Sequence, residues 1–158
     1  MGQSLFSPNA PVLLMENKDV EARVWIQISE PGLPVRSASL DIKSASQLAS
    51  QLGFPVSDEM LADSGFREKH AVSLASNIKD NQGTTVYELD VIAVGDPRDW
   101  RSYHLLRHGW CGPEQPFTLH RAGEVINWSS GAAARCTRIG NYHENAEAYR
   151  NLIFTHFR

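Results

Sequence analysis

The sequence predicts a single α+β domain, an antiparallel sheet of hairpins packed by helices and closed by a C-terminal amphipathic helix. Three observations predict it. Residues 20–29 alternate apolar and polar, with Val20, Ala22, Val24, Ile26 and Ile28 on one face. Turn chemistry recurs between β-rich runs, as at Glu30-Pro31-Gly32. The last stretch changes to helical spacing, with Tyr142, Ala146, Tyr149, Leu152, Ile153 and Phe157 on one face. Strands in hairpins with helices between and after them argue against a parallel βαβ arrangement.

The elements follow in order. Residues 1–11 carry Pro8 and Pro11 and read as a loose N-terminal arm, leaving residues 12–158 as one globular domain. The strand at 20–29 turns into a second at 35–42. Ser44 caps a short helix with Gln47 at the capping-box position and Gly53 as its stop. Ser57 caps another, ended by Gly65. Residues 70–78 and 84–94 form a long hairpin around a polar loop. The strands at 20–29 and 84–94 are expected in the same sheet. Asp96-Pro97 reads as N-cap and first position of a helix running to about His108, stopped by Gly109. Two short strands, 117–120 and 125–129, flank Ala122-Gly123. Asn141, with Glu144 three places on, is the expected cap of the last helix.

Composition narrows the function classes. With 158 residues, 42% hydrophobic and 21% charged, the chain has the balance of a folded globular protein. Its longest purely apolar runs, 12–15 and 91–94, fall far short of the ~20 residues that span a bilayer. The first residues lack the pattern of a signal peptide, so a cytoplasmic protein with no membrane partner is expected. Two cysteines, Cys111 and Cys136, are then expected as thiols and not as a disulfide. A net charge of −3 gives no general attraction to polyanions.

Charge is unevenly placed. Residues 96–158 hold eight Arg and no Lys, with five of the six His and three of the four Trp. Arg and Trp are the side chains most enriched where proteins grip partners. Arg98, Trp100, Arg101, Arg121 and Trp128 are therefore the candidate binding residues, and a protein partner is favoured over nucleic acid. Six acidic residues are interleaved with the eight Arg, and no RNA-binding motif is present. The expectation is a small interaction protein of the inhibitor, immunity or mobile-element accessory type.

An enzyme is the alternative. His104 and His108, four apart on the predicted helix, would point off one face as a metal pair. Cys111 would add a third ligand, and Cys136, His120 or His143 a fourth, a nitrogen and sulfur set suited to zinc. Without metal, Cys111 could act as nucleophile with His120 or His143 as base and Asn145 to orient it. Trp110-Cys111-Gly112-Pro113 resembles the redox loop of thioredoxins over four residues, with Glu114 where that loop has its second cysteine.

Overall fold

A computed structural model describes residues 18–152. The N-terminal arm expected at 1–11, and Ile153 and Phe157 of the expected helix face, lie outside the described residues. The chain builds two antiparallel sheets with short helices. Strand β1 (Asp19–Ile28) pairs with β2 (Arg36–Ser44) in the register Val24 to Leu40, through a turn in which Leu33 N donates to Glu30 O at 3.1 Å. With β3 (Val72–Lys79) and β4 (Thr85–Tyr87) they form a four-stranded sheet in the order β2-β1-β3-β4.

The helices between β2 and β3 cover one face of this sheet. Helix α1 (Ala45–Leu52) begins where Ser44 Oγ accepts from Gln47 N, and ends at Gly53 with φ 86°. Such a left-handed stop is the glycine signal the sequence carries. Leu48 is fully buried against Val20, Ala22, Val24, Ile42 and Val72, the alternating face of β1 and its neighbours. Helix α2 (Asp58–Ala62) is capped by Ser57 as expected but ends before Gly65. Asp63 interrupts it, and its carboxylate accepts from Gly65 N at 3.0 Å to start α3 (Ser64–Lys69). Gly65 therefore opens a helix instead of closing one, because a capping carboxylate two residues earlier outweighs the glycine stop signal.

The expected strand at 84–94 is two strands with a corner between them. Leu89 sits at φ 65°, and Tyr87 N donates to Asp90 Oδ2 at 2.7 Å. Strand β4 shares a sheet with β1, as expected, whereas β5 (Asp90–Val94) enters the second sheet. That sheet has the order β8-β7-β6-β5-β9, with β6 (Tyr103–His108), β7 (Phe117–Arg121), β8 (Glu124–Asn127) and β9 (Cys136–Asn141).

Strand β6 replaces the helix expected over 96–108. Asp96 and Asp99 each accept from a backbone N–H two residues on, Arg98 N at 2.9 Å and Arg101 N at 3.0 Å. These side-chain turns compete with helix and leave only a 3₁₀ turn at Trp100–Ser102. Leu105 and Leu106 are both fully buried, one on each face of β6. A strand covered on both faces shows consecutive apolar residues, which periodicity cannot separate from a helix. Strand β9 also lacks a pattern, because its residues pair along β5 with a bulge between Val91 and Ile92.

One face of the second sheet carries Ile92, Leu106 and Leu119. It packs on Val86 and Ile78 of the first sheet, with Trp128 and α4 (Ser130–Ala133) closing the edge. Trp128 Nε1 donates to Ser76 Oγ of β3 at 3.0 Å. On the other face Val91 and Leu105 meet Tyr103, Tyr142 and Tyr149. Tyr149 lies on α5 (Ala146–Leu152), which starts with Asn145 Oδ1 accepting from Ala148 N at 3.3 Å. Asn141, the expected cap, is instead spent at the corner, where its Nδ2 donates to Glu88 O and Asp90 Oδ1.

The corner is held by charge. Arg67 of α3 makes a two-pronged pair with Glu88, at 2.7 Å and 2.8 Å, and also donates to Leu61 O at 2.7 Å. Both partners are buried, with side chains 1% and 5% exposed. Arg67→Met strands the Glu88 carboxylate and is expected to destabilise the fold by about 3–5 kcal/mol. Adding Glu88→Gln to it should restore part of that loss. Denaturant unfolding measures both variants, and wild-type stability in Arg67→Met would show that the pair does not hold the corner.

Candidate functional site

Strands β6, β7 and β8 present the residues that the sequence singles out. Along β7 the side chains alternate, so Thr118 and His120 share one face and Leu119 the other. Arg107 lies directly opposite Thr118, and Val125 opposite His120. This part of the face continues from the layer that α5 covers. The connection between β6 and β7 folds back onto it. Trp110 brings its ring 5.5 Å from that of His120, edge to face, and the Arg107 guanidinium lies 4.4 Å from the Trp110 ring centre.

Cys111 follows on the same connection and is exposed. Its Sγ is 3.8 Å from Thr118 Oγ1, whose other contact is His120 Nε2 at 2.6 Å. Burial, and then the charges of Arg107 and His104, hold the His120 ring below the ordinary imidazole range. The ring is therefore neutral at pH 7 and can accept the Thr118 proton. Thr118 was not singled out from the sequence. The Thr-x-His spacing becomes a signal only once β7 is known to be a strand, since residues two apart then share a face.

His104 and His108 do not form a metal pair. On a strand, four residues span about 13 Å, too far for one ion. His104 Nδ1 meets Ser102 O at 2.9 Å and its Nε2 meets Glu124 Oε1 at 2.6 Å. The His108 ring meets that of Phe117 edge to face and has Nδ1 3.4 Å from Arg67 Nη2, and burial beside that cation lowers its pKa. Cys136 is buried in the other layer, donating to Ala132 O at 3.1 Å. Among the described residues no group of three or more His, Cys, Asp or Glu is arranged to hold a metal ion. The zinc alternative therefore loses its ligand set.

Among the described residues no contact joins Cys111 to His143. Its carbonyl accepts from Gln27 Nε2 at 3.1 Å and its N–H donates to Asn141 Oδ1 at 2.8 Å, at the junction of β1 with the final helix. Asn145 caps α5 and orients no imidazole.

The expected binding residues separate into three kinds. Trp128 is 4% exposed and belongs to the core, so it is withdrawn from any contact surface. Arg98 and Arg101 are solvated, each beside its own acid, Asp96 at 3.5 Å and Asp99 at 3.0 Å. Arg121 is fixed, donating to Tyr103 O at 2.7 Å and lying 5.4 Å over the ring of Trp100. Trp100 and Trp110 are half-exposed, at 49% and 50%, and Val125 at 48%. His120 and Arg121 are adjacent and point to opposite faces. The two tryptophans thus flank the β7–β8 hairpin, one against each residue. A shallow concavity of about 590 Å³ lies elsewhere, lined by Asn77, Lys79, Asp80, Asn81 and Ser130. The Asp80 carboxylate in its wall is already engaged by Gln82, Thr84 and Arg138 backbone N–H groups.

Comparison with protein-family models, with curated proteins and with solved structures finds no match. Among the described residues no helix is long and apolar enough to cross a membrane.

Two buried groups give the fold opposing pH dependences. Burial raises the Asp90 carboxyl to about 6, against the pull of Arg138, and lowers the His143 imidazole to about 4. Between pH 4 and 6.5 the unfolded chain holds a proton on His143 that the folded chain lacks, so stability rises with pH. Over roughly the same window folded Asp90 keeps a proton that the unfolded chain loses, so its contribution falls as pH rises. His143→Gln removes the first effect and leaves the second. The stability advantage of wild type over this variant should grow by about 3 kcal/mol from pH 4 to 6.5. Denaturant titrations across pH measure it, and a difference independent of pH would show that His143 titrates normally in the fold.

Proposed function

We propose that the protein is a small cytoplasmic binding protein that docks on another protein through the β7–β8 hairpin and its two flanking tryptophans. The observation that carries this reading is the state of Trp100 and Trp110. Each is half-exposed, and each lies against a guanidinium: Trp100 against Arg121, which donates to Tyr103 O, and Trp110 against Arg107, which is 5% exposed. An exposed aromatic that is already ordered loses little further freedom on binding, which is how a few such residues come to dominate an interface. Val125, opposite His120 on the edge strand β8, extends the apolar surface beside Trp110.

The charges favour a protein over nucleic acid. A polyanion site needs cations that are not neutralised nearby. Here Arg98 and Arg101 each carry an aspartate two residues before them, and Glu124 lies directly opposite Arg121. The surface is apolar and aromatic with a balanced polar rim, the composition of a protein interface.

The test is affinity capture, with nuclease present, from the cells that naturally make the protein. Wild type is compared with Trp100→Ala, Trp110→Ala and the double variant. A protein held by wild type should be weakened about 30-fold or more by each single change and lost by the double. Arg98→Glu with Arg101→Glu should change it far less. Undiminished capture by the double variant would overturn the reading, and loss of the captured material on nuclease treatment would point to nucleic acid instead.

A further inference from the structure

Cys111 has a neighbourhood that a docking role leaves unused. It is exposed, whereas the other thiol, Cys136, is buried beneath α4 in a different layer. Thr118 Oγ1 lies between Cys111 Sγ and His120 Nε2, at 3.8 Å and 2.6 Å. Thr118 is fully buried and His120 is 8% exposed, so this hydroxyl and ring face the thiol from a buried sheet surface. In the tautomer protonated at Nδ1, Nε2 accepts the Thr118 proton and leaves the Thr118 oxygen to accept the thiol proton. The order is thiol, hydroxyl, imidazole, with each proton directed inward.

We propose that Cys111 is a thiol-exchange site that takes a low-molecular-weight disulfide, with His120 acting as base through Thr118. The Cys111 sulfur attacks one sulfur of the disulfide R–S–S–R. As it does so, its proton moves to Thr118 Oγ1 and the Thr118 hydroxyl proton moves to His120 Nε2. The new bond joins Cys111 Sγ to RS. The old S–S bond breaks, its electron pair leaves with the second RS group, and that group takes the proton from His120 as RSH. Cys111 is oxidised and one half of the disulfide is reduced. No second thiol is in place to resolve the product, because Cys136 lies in the core. The mixed disulfide is therefore the end state, a cap and not a turnover intermediate. The cap sits one residue from Trp110. The site stands whether or not the tryptophans dock a partner.

The neutral state of His120 sets the pH behaviour. Its pKa lies below the ordinary value, so the acceptor is available through pH 7 and is lost as pH falls through that pKa. At high pH thiols ionise without help and the relay confers nothing.

The experiment treats the full chain with oxidised glutathione and follows the rate of adduct formation by intact mass. Wild type is compared with Thr118→Val, His120→Gln and Cys111→Ser. One adduct per wild-type chain is expected, on Cys111, with none in Cys111→Ser and Cys136 unreactive until the chain is denatured. Protection of Cys136 also verifies that each variant is folded. At pH 7 Thr118→Val and His120→Gln should each react about tenfold more slowly or worse. The ratio of wild type to Thr118→Val should close toward one both below the His120 titration and at high pH. If either folded variant reacts as fast as wild type at pH 7, or the ratio does not change with pH, the relay is overturned. An adduct on Cys136 in the folded wild type would overturn the assignment of the site.

Discussion

The corner between the two sheets depends on one buried ion pair, Arg67 with Glu88. A carboxylate taken out of water costs several kcal/mol unless its partners are close and well aligned. Glu88 has such partners: two guanidinium contacts at 2.7 and 2.8 Å, and Leu74 N at 3.4 Å. Its own N–H donates to Leu74 O at 2.8 Å and its carbonyl accepts from Asn141 Nδ2. Leu89, at positive φ, then donates to Leu106 O at 2.7 Å and accepts from Tyr142 N at 2.9 Å. Glu88 and Leu89 thus tie α3, β3, β6 and β9 together. A left-handed leucine is costly, and such a conformation persists where its surroundings over-determine it. The direction in which β5 leaves this corner sets where β6, β7 and β8 lie, and so where Trp110, Cys111 and His120 meet.

What the sequence made legible is what local physics decides. The alternation from Val20 to Val24 and the caps at Ser44, Gly53 and Ser57 are properties of a few neighbouring residues, and the structure follows them; past Val24 the pattern breaks, with Trp25 buried and Ile26 exposed. The corner at 88–89 was not legible. Residues 84–94 are mostly β-prone, no glycine marks the turn, and the partner that Glu88 meets there, Arg67, is more than twenty residues away in sequence. Strand β6 was misread as helix for a related reason. Leu105 and Leu106 are apolar on both faces because both faces are covered, and covering is a tertiary fact. The same error produced the expected His104/His108 metal pair, since a four-residue spacing brings side chains together on a helix and separates them on a strand.

The site was half legible. Cys111 stood out as a thiol beside a glycine-proline turn, and both His120 and His143 were open as its base. Only the pairing of β6 with β7 brings one of them near the thiol, by placing Thr118 and His120 under the returning connection. His143 is instead fastened to the β1–β2 hairpin by Gln27. Trp128 stood out for the same reason as Trp100 and Trp110, yet its indole N–H is spent on Ser76 inside the core. Composition cannot tell a tryptophan that packs from one that is displayed.

The arginine bias of residues 96–158 has a partly structural origin, and this changes what is left for a partner. Lys presents one charged point, whereas Arg presents a planar fork that serves several acceptors at once. Arg121 uses it on Trp100 O, Tyr103 O and the Trp100 ring. Arg138 lies between Asp90 at 3.1 Å and Glu144 at 3.8 Å, joining β9 to the approach of α5. The Arg107 guanidinium lies 4.4 Å from the Trp110 ring centre, from a position that is 5% exposed. Neither Arg121 nor Arg138 could be lysine without losing a contact. These three guanidinium groups are thus occupied in shaping the second sheet, and two of them lie against aromatic rings at the surface. The attraction such a surface offers is apolar area already in position, with charge acting one step removed, through the rings it keeps still.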